Sequence, residues 1–263
     1  MKLYPIYEFP ESLYDLLMIL TNIEKLQPMP MTEVENLFKK YIGKRSSRIK
    51  ITIRNLKSLN MIMGTNSISL SYETQVYIDT NSDLDDLLLL LIYEKKDLFK
   101  QCKDISNITD FNKLNNIALA HTLWSQGYIE ENIRTAIEKI YALKRLINCC
   151  YTNKNKKINI FLEYEKYIKF IEDLQREYLN MANFGETVII VDIRDQMKKS
   201  EEYSYNQFDK YLIMLFNDPI YSKFIAFTTV NNIFAHKGYF NIKMKNYYYM
   251  KILDKIIYKD TLL

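Results

Sequence analysis

The sequence predicts an α+β protein that is mostly helical, and three observations lead to this fold class. Glycine and proline are scarce, with five of each in 263 residues and no proline between Met31 and Asp218. Apolar residues recur mainly at the spacing of helices. The β-prone segments are short and follow helices directly. Scarce glycine also disfavours phosphate-binding loops and doubly wound sheets, which need glycine at tight turns.

Two helical segments share one apolar pattern, in which steps of three or four residues keep one face buried. The first contains Ile49, Ile53, Leu56, Leu59 and Ile62. The second contains Ile133, Ile137, Ile140, Leu143 and Leu146. Each leads into β-prone residues interrupted by a turn, over 61–70 and 147–161. Both segments therefore predict a buried helix that is followed by a hairpin.

The N-terminal third predicts three helices and a hairpin. A first helix begins near Leu13 and ends at Pro28 and Pro30. Thr32 and Glu35 have the spacing of a capping box, which predicts a second helix from there to position 41. Gly43 suits the C-terminal turn of that helix, and Ser46 or Ser47 suits the cap of the third. Alternating residues over 68–78 predict a strand.

The remaining elements follow in order. Acidic residues at 83–86 suit the N-terminus of a helix over 84–103, because the helix dipole favours anions there. A connector over 104–110 precedes a helix over 111–124, a restart at Glu130 and a long helix over 163–181. The last third predicts a strand over 187–191 and a short helix over 193–199. Ser204 and Gln207 form a capping-box pair that starts another helix, and strand-like segments over 224–230 and 239–244 flank Gly238.

This order of helices and hairpins resembles the winged helix-turn-helix superfamily, as tandem winged-helix units joined by long helices. The resemblance implies an N-terminal unit over 1–80, a helical linker with a second unit over 81–183, and a winged-helix-like unit over 184–263. Tandem arrays of this kind resemble two groups of proteins. One comprises DNA-binding regulators, and the other comprises kleisin-interacting proteins that assist chromosome-organising ATPases. No signature in the chain selects between them.

Composition sets the broad class. Apolar residues make up 48% and charged residues 26%, which is typical of a globular protein and argues against disorder. The longest apolar run, Leu87 to Tyr93, is far shorter than the ~20 residues of a membrane span. With no signal peptide, the expected location is cytoplasmic. Cys102 and the adjacent Cys149 and Cys150 lack the spacing of a zinc site, so we expect buried thiols, no metal and no cofactor.

A basic segment is the main candidate for function, because six basic residues occur without an acidic one: Lys44, Arg45, Arg48, Lys50, Arg54 and Lys57. In a winged helix this segment is the recognition helix, which enters the major groove of DNA. A solvated helix face is the alternative interpretation. The net charge of +4 is too small to identify a nucleic-acid partner by itself.

Two further segments give weaker indications. The second hairpin carries Lys154, Lys156 and Lys157, which suit contact with a phosphate backbone and equally suit a solvated loop. The helices of the third unit are acidic at Asp192, Asp195, Glu201, Glu202 and Asp209, which predicts protein contacts rather than DNA contacts. Its end has Tyr247–Tyr249 among lysines at 243, 245, 251 and 255. Such residues stack on single strands in some proteins, but burial of the tyrosines is the commoner outcome.

The sequence contains few residues in patterns that indicate catalysis. A phosphate-loop motif would require a glycine at Phe38, and no nucleophile-elbow motif occurs. The two histidines, His121 and His236, are far apart in sequence; the first suits a helix and the second a turn. Carboxylates at 83–86 and 192–195 suit either helix capping or Mg²⁺.

The sequence therefore predicts a non-enzymatic protein that binds double-stranded DNA through the helix over 44–57 and a wing near Gly64. Protein contacts are expected through the C-terminal unit, with a homodimer as one option. The alternative is a tandem winged-helix adaptor subunit of a larger ATPase, chromosome-organising or defence complex. A nuclease is a distant third hypothesis, since no metal-binding carboxylate set with a lysine is evident.

Overall fold

A computed structural model describes residues 2–43, 46–108, 111–151, 159–200, 202–229, 239–242 and 245–256. Over these ranges the protein is α+β and mostly helical, which confirms the predicted class. The chain divides into two compact units, Met1–Glu163 and Tyr164–Leu263.

The first unit contains helices and three short strands. Its elements are α1 (Leu13–Leu26), β1 (Met29–Pro30), α2 (Met31–Ile42), α3 (Ser46–Ser58), β2 (Ile62–Met63), β3 (Ser67–Leu70), α4 (Tyr72–Asp79), α5 (Leu84–Tyr93), α6 (Lys96–Ser106), α7 (Asn116–Ser125) and α8 (Ile133–Cys150). The strands form one antiparallel sheet in the order β1-β3-β2. Gly64 turns the chain between β2 and β3 with φ +100°, and a Cβ there would lie 2.0 Å from the carbonyl oxygen of Ser67. This turn therefore requires glycine.

An N-terminal segment, residues 2–11, crosses the first unit and is anchored by side chains far along the chain. Its apolar residues Leu3, Ile6 and Phe9 are fully buried. The amide of Gln101 on α6 accepts from the Tyr4 N–H at 2.8 Å and donates to the Lys2 carbonyl at 3.0 Å. Further bonds to this segment come from α3 and α8 and are described below. The segment thus joins the first three helices to the later ones.

The second unit begins within α9 (Ile160–Met181), the long helix that the sequence predicts. It continues with β4 (Val188–Ile189), α10 (Ile190–Lys199), α11 (Tyr205–Asn217), a 3-10 turn (Ser222–Phe224), β5 (Ile225–Thr228), β6 (Phe240–Ile242), β7 (Lys245–Tyr247) and β8 (Tyr249–Ile252). β4, β8 and β5 form one antiparallel sheet in that order, while β6 and β7 pair as a separate hairpin. The predicted capping box of Ser204 and Gln207 is present at the start of α11.

The two sheets have the same topology and the same register. In each, the last strand lies in the centre. The element order is helix, strand, helix, helix, strand, strand, and the second copy adds a 3-10 turn before β5 and the β6–β7 hairpin between β5 and β8. Each also contains two buried cross-strand pairs that sit two residues apart on the central strand. In the first sheet these are Met29 with Ile68 and Ile62 with Leu70. In the second they are Val188 with Met250 and Ile225 with Ile252. The chain therefore contains one structural unit twice, over 13–70 and 160–252.

The structure corrects the predicted hairpin over 147–161. α8 continues to Cys150 and α9 begins at Ile160, so both ends of that range are helical. Ile147 extends the buried face of Leu143 and Leu146 by another turn, and this helical burial overrides the β propensity of the segment. Residues 152–158, including the three lysines of the predicted wing, lie outside the described ranges.

Smaller corrections concern helix boundaries. The predicted capping box at Thr32 is wrong, because Pro30 precedes α2 as its N-cap and Thr32 lies inside the first turn. The predicted strand over 68–78 ends at Leu70, since the Ser71 hydroxyl accepts from the Thr74 N–H and starts α4. The helix expected over 84–103 is two helices, α5 and α6. The predicted strand over 187–191 gives way to α10 at Ile190.

A buried hydrogen bond in the second unit gives a first prediction. The Tyr203 hydroxyl donates to Asp173 Oδ2 at 2.7 Å, and both residues are buried. Burial, followed by the bond to Asp173 and the charge of that carboxylate, raises the pKa of Tyr203. The phenol ionises more readily in the unfolded chain, so its contribution to stability is complete below pH ~10 and is lost as pH rises further.

We therefore expect Tyr203→Phe to lower the free energy of unfolding by about 1–3 kcal/mol at neutral pH, and by less at alkaline pH. Urea denaturation at several pH values measures this. Tyr205→Phe is the matched control, because that side chain is 40% exposed. An equal loss for both variants, or a loss for Tyr203→Phe that grows above pH 10, would contradict the prediction.

Candidate nucleic-acid interface

Helix α3 is held in place by its buried face and by side-chain bonds to the N-terminal segment. Gly43 ends α2 in the left-handed conformation, with its N–H bonded to the Lys39 carbonyl, as the sequence predicts. The apolar residues Ile49, Ile53 and Leu56 are buried. Asn55, also buried, donates its amide to the Glu8 carbonyl at 2.6 Å. The helix is therefore fixed both to the core and to the N-terminal segment.

The outward face of α3 carries three of the predicted basic residues. Lys50, Arg54 and Lys57 follow one another at spacings of three and four residues and lie opposite the buried face. Lys50 and Arg54 are exposed, and Lys57 is half-buried. No acidic residue lies on this helix. We call Lys50, Arg54 and Lys57 the basic face of α3.

The charges of the basic face are largely available for a ligand. Lys50 Nζ lies 3.9 Å from Glu35 Oε1, at the limit of an ion pair, and its side chain is 65% exposed. Exposed pairs of this kind contribute little, about 0–1 kcal/mol. Arg54 and Lys57 have no ion pair within the part of the chain that the structure describes. Lys44 and Arg45, which complete the predicted set, lie outside that part.

Arg48 has a different position from the other three. It lies on the flank of α3, where its Nη1 is 3.2 Å from Glu8 Oε2. Glu8 is buried, and its other oxygen accepts from Arg145 Nη1 on α8 at 2.7 Å. Arg145 also bonds to Glu11 and to the Tyr141 hydroxyl, and its guanidinium stacks 3.9 Å from the centre of the Tyr141 ring. Arg48 is thus part of an ion-pair cluster centred on the buried Glu8, while its own side chain remains 48% exposed.

This cluster lines a cleft of about 390 Å³ in the first unit. Three carboxylates and two guanidinium groups face it, from Glu8, Glu11, Glu138, Arg48 and Arg145. The two positive groups are already bonded to carboxylates. The cleft therefore offers a neutral to slightly negative environment, which does not suit an anion such as phosphate.

Sequence reasoning missed Glu8, which is the centre of the cluster. One signal was available in the sequence. Glu8 is the single acidic residue between Ile6 and Phe9, and the apolar residues around it are typical of a buried segment rather than a solvated one. Sequence reasoning also gave no indication that Lys139 is buried. Its side chain is 3% exposed and pairs with Glu131 at 2.7 Å.

The turn of the first sheet has no charge. Thr65 and Asn66 are exposed beside Gly64, and Met63 is 50% exposed. The Asn66 carbonyl accepts from the Met31 N–H at 2.9 Å, which ties the turn to the start of α2. The predicted wing near Gly64 can thus offer a ligand polar and apolar contacts but no ionic ones.

The groups with catalytic potential are the cysteines and an acidic cluster, and they lie outside the basic face of α3. The three cysteines are free and buried, as expected, and burial raises the pKa of Cys102 and raises that of Cys149 to about 12. The thiols of Cys102 and Cys149 are therefore poor nucleophiles at neutral pH. Asp83, Asp85 and Asp86 bring carboxylate oxygens within 4.8 Å of one another at the start of α5. Acidic residues are favoured at this position by the helix dipole, although Asp83, the N-cap residue, makes no side-chain capping hydrogen bond.

Comparisons of this chain with known proteins gave no match. No protein-family model matches it, and neither does any curated protein or solved structure at a significant level. Within the described ranges, none of the helices is long and apolar enough to span a membrane.

Proposed function

We propose that this protein is a non-enzymatic, double-stranded DNA-binding protein built on two winged helices, residues 13–70 and 160–252. In such a unit, three helices pack on a three-stranded sheet and the third helix enters the major groove. α3 is the third helix of the first unit. The observation that carries the proposal is its basic face, on which three basic residues point outward without an acidic neighbour on the helix.

We propose that only part of the basic segment contacts DNA. Lys50, Arg54 and Lys57 are the residues that contact phosphates or base edges. Arg48 has a positioning role, because Glu8 holds it on the flank of the helix. Each phosphate that the basic face neutralises releases counterions, so affinity falls steeply with salt.

The test is fluorescence anisotropy of the full chain with a short duplex across a range of salt concentrations. We expect Lys50→Ala/Arg54→Ala/Lys57→Ala to weaken binding roughly 10–100-fold and to reduce the log–log salt slope by up to ~3, one for each lost phosphate contact. All three positions are outside the buried core, so the thermal unfolding of the variant should match that of the parent protein.

Lys2→Ala/Lys25→Ala/Lys100→Ala is the matched control, since it removes the same number of exposed charges outside α3. The proposal is wrong if the folded α3 variant binds duplex as tightly as this control. Absence of duplex binding by the parent protein at low salt would instead favour the adaptor hypothesis, in which the winged helices contact proteins.

A further inference from the structure

We infer that helix α7 is a self-association surface, through which two copies of this chain form an antiparallel dimer. The surface is the outer stripe of α7, which comprises the exposed residues Ile117, His121, Trp124 and Tyr128. None of them belongs to the basic face of α3. The inference goes beyond the proposed function, because it needs no nucleic acid and either one can fail without the other.

Helix α7 is apolar on two faces. Its inner face is buried at Leu119, Ala120 and Leu123. On its outer face, Ile117 is 56% exposed and Trp124, the only tryptophan of the chain, is 53% exposed. A helix that packs on a core with one face normally carries polar residues on the rest of its surface. The outer stripe therefore has the composition of a contact surface rather than of a solvated one.

The backbone holds the outer stripe in a fixed arrangement. The Asn115 side chain caps the start of α7 by accepting from the Ala118 N–H at 2.7 Å. At the other end, Gly127 has a left-handed φ of +71°, and the Tyr128 N–H donates to the Leu123 carbonyl at 3.0 Å. These bonds form a Schellman turn, which keeps Tyr128 at the end of the helix. The stripe is thus presented by a helix that is capped at both ends.

The absence of charge on α7 indicates which partner fits the stripe. Among the helices that the structure describes, α7 is the only one without an aspartate, glutamate, lysine or arginine. Nucleic acids, anionic membrane surfaces and charged peptides are attracted by opposite charge, which this face lacks. The partner therefore presents an uncharged, apolar face, and the same stripe on a second copy has this chemistry.

The spacing of the stripe suits pairing with itself. Its steps of four, three and four residues are the same in both directions along the chain. In an antiparallel pair related by a two-fold axis, Ile117 meets Tyr128 of the second copy, and His121 meets Trp124 of the second copy. Each end of the contact thus pairs an aliphatic side chain with an aromatic ring, and the centre pairs two aromatic rings, which is a favourable combination.

Charge complementarity at the two ends of the stripe favours the same arrangement. Lys113 precedes the stripe and Glu130 follows it, and both side chains are exposed. In the antiparallel pair, the lysine of each copy lies at the glutamate end of the other, whereas a parallel pair would bring like charges together. Each residue also interacts within its own chain, so the pair contributes to orientation more than to affinity.

The size of the helix sets the expected affinity. α7 has ten residues, and a helix of this length spans only about 15 Å. Its stripe is therefore smaller than the roughly 800 Å² per partner that a standard interface buries. We expect a weak, reversible dimer with a dissociation constant on the order of 10–100 μM.

Sedimentation velocity of the full chain without DNA, at concentrations below and above this value, tests the dimer. The emission of Trp124, the only tryptophan, should shift to shorter wavelength as the dimer forms. We expect Ile117→Glu to weaken association at least about tenfold, because it places a charge in the apolar contact of both copies. Tyr14→Glu is the matched control, since Tyr14 is likewise the second residue of a helix and is 66% exposed.

An exchange of charges tests the antiparallel arrangement. Lys113→Glu and Glu130→Lys should each weaken association about threefold, because each variant brings like charges together at both ends of its own dimer. An equimolar mixture of the two variants should associate as the parent protein does, since every end contact in the mixed dimer then joins opposite charges.

Each outcome bears on one part of the inference. A chain that stays monomeric at every concentration leaves the stripe to a different protein and overturns the second copy as its partner. A dimer that Ile117→Glu does not weaken, or that forms without a change in tryptophan emission, overturns the stripe as the interface. If the mixture of charge variants does not regain association, the antiparallel arrangement is wrong. These measurements contain no DNA, so failure of the proposed function is a separate observation.

Discussion

Replacement of Glu8 by alanine should lower the free energy of unfolding by about 3 kcal/mol, because it removes the shared partner of two arginines. Glu8 is 2% exposed and Arg145 retains only 13% of its side-chain exposure, so the guanidinium cannot regain full hydration when the carboxylate is lost. Arg145 keeps Glu11, Tyr141 and the Phe9 carbonyl as partners, which places the expected loss at the lower end for a broken buried pair. Urea denaturation followed by circular dichroism measures the change.

Glu11→Ala provides the control for this experiment. Glu11 bonds to the same guanidinium, but its side chain is 61% exposed, and we expect a loss below about 1 kcal/mol. Glu8→Gln should lie between the two, since it keeps hydrogen-bonding capacity and removes the charge. If Glu8→Ala and Glu11→Ala were equally destabilising, burial of the first carboxylate would not be the cause.

The second large effect concerns the buried Lys139. Its ammonium donates to Glu131 Oε1 at 2.7 Å and to the Leu3 carbonyl at 3.0 Å, and it lies 5.4 Å from the centre of the Tyr7 ring. Lys139→Met keeps most of the apolar stem but leaves the Glu131 carboxylate without its counter-ion. We expect a loss of about 3 kcal/mol, measured by the same denaturation experiment.

A double-mutant cycle separates the ion pair from other effects. Glu131→Gln in the Lys139→Met background removes the remaining charge, so the double variant should be more stable than the sum of the two single losses predicts, by at least about 1 kcal/mol. Arg134→Met, at an exposed position of the same helix, should change stability by less than about 0.5 kcal/mol. Additive losses in the cycle would show that the pair contributes no coupling.

The helical parts of this fold could be predicted because their signals are local. The start of α1 near Leu13, the left-handed Gly43 and the capping box of Ser204 are each encoded within a few residues, and the structure confirms them. The strands gave weaker signals, since β1, β2 and β4 have only two residues each. Alternation cannot be recognised over such a length.

The hairpin predicted over 147–161 was wrong for a related reason. The helix that begins at Ile133 has the apolar spacing of α3, but this spacing defines only a buried helix face. What defines the repeated unit is pairing between strands distant in sequence, such as Val188 with Met250. The long insertion between β5 and β8 hides this pairing. The element order of the last third was nevertheless predicted, although its first helix, α9, was interpreted as a connection.

The basic segment was predicted from charge alone, and charge could not distinguish its members. Arg48 and Lys50 are two residues apart and look equivalent in the sequence. In the structure one lies on the flank beside Glu8 and the other on the outward face, because residues two positions apart on a helix point about 160° apart. The difference depends on Glu8, whose relation to Arg48 is a tertiary contact that no local pattern encodes.

The N-terminal segment has a consequence for synthesis on the ribosome. Residues 2–11 are translated before Gln101, Glu131, Lys139 and Arg145, which hold them in place. Until α8 has left the exit tunnel, Leu3, Ile6 and Phe9 have no complete site to enter. This apolar segment therefore stays unpacked during most of the synthesis of the first unit.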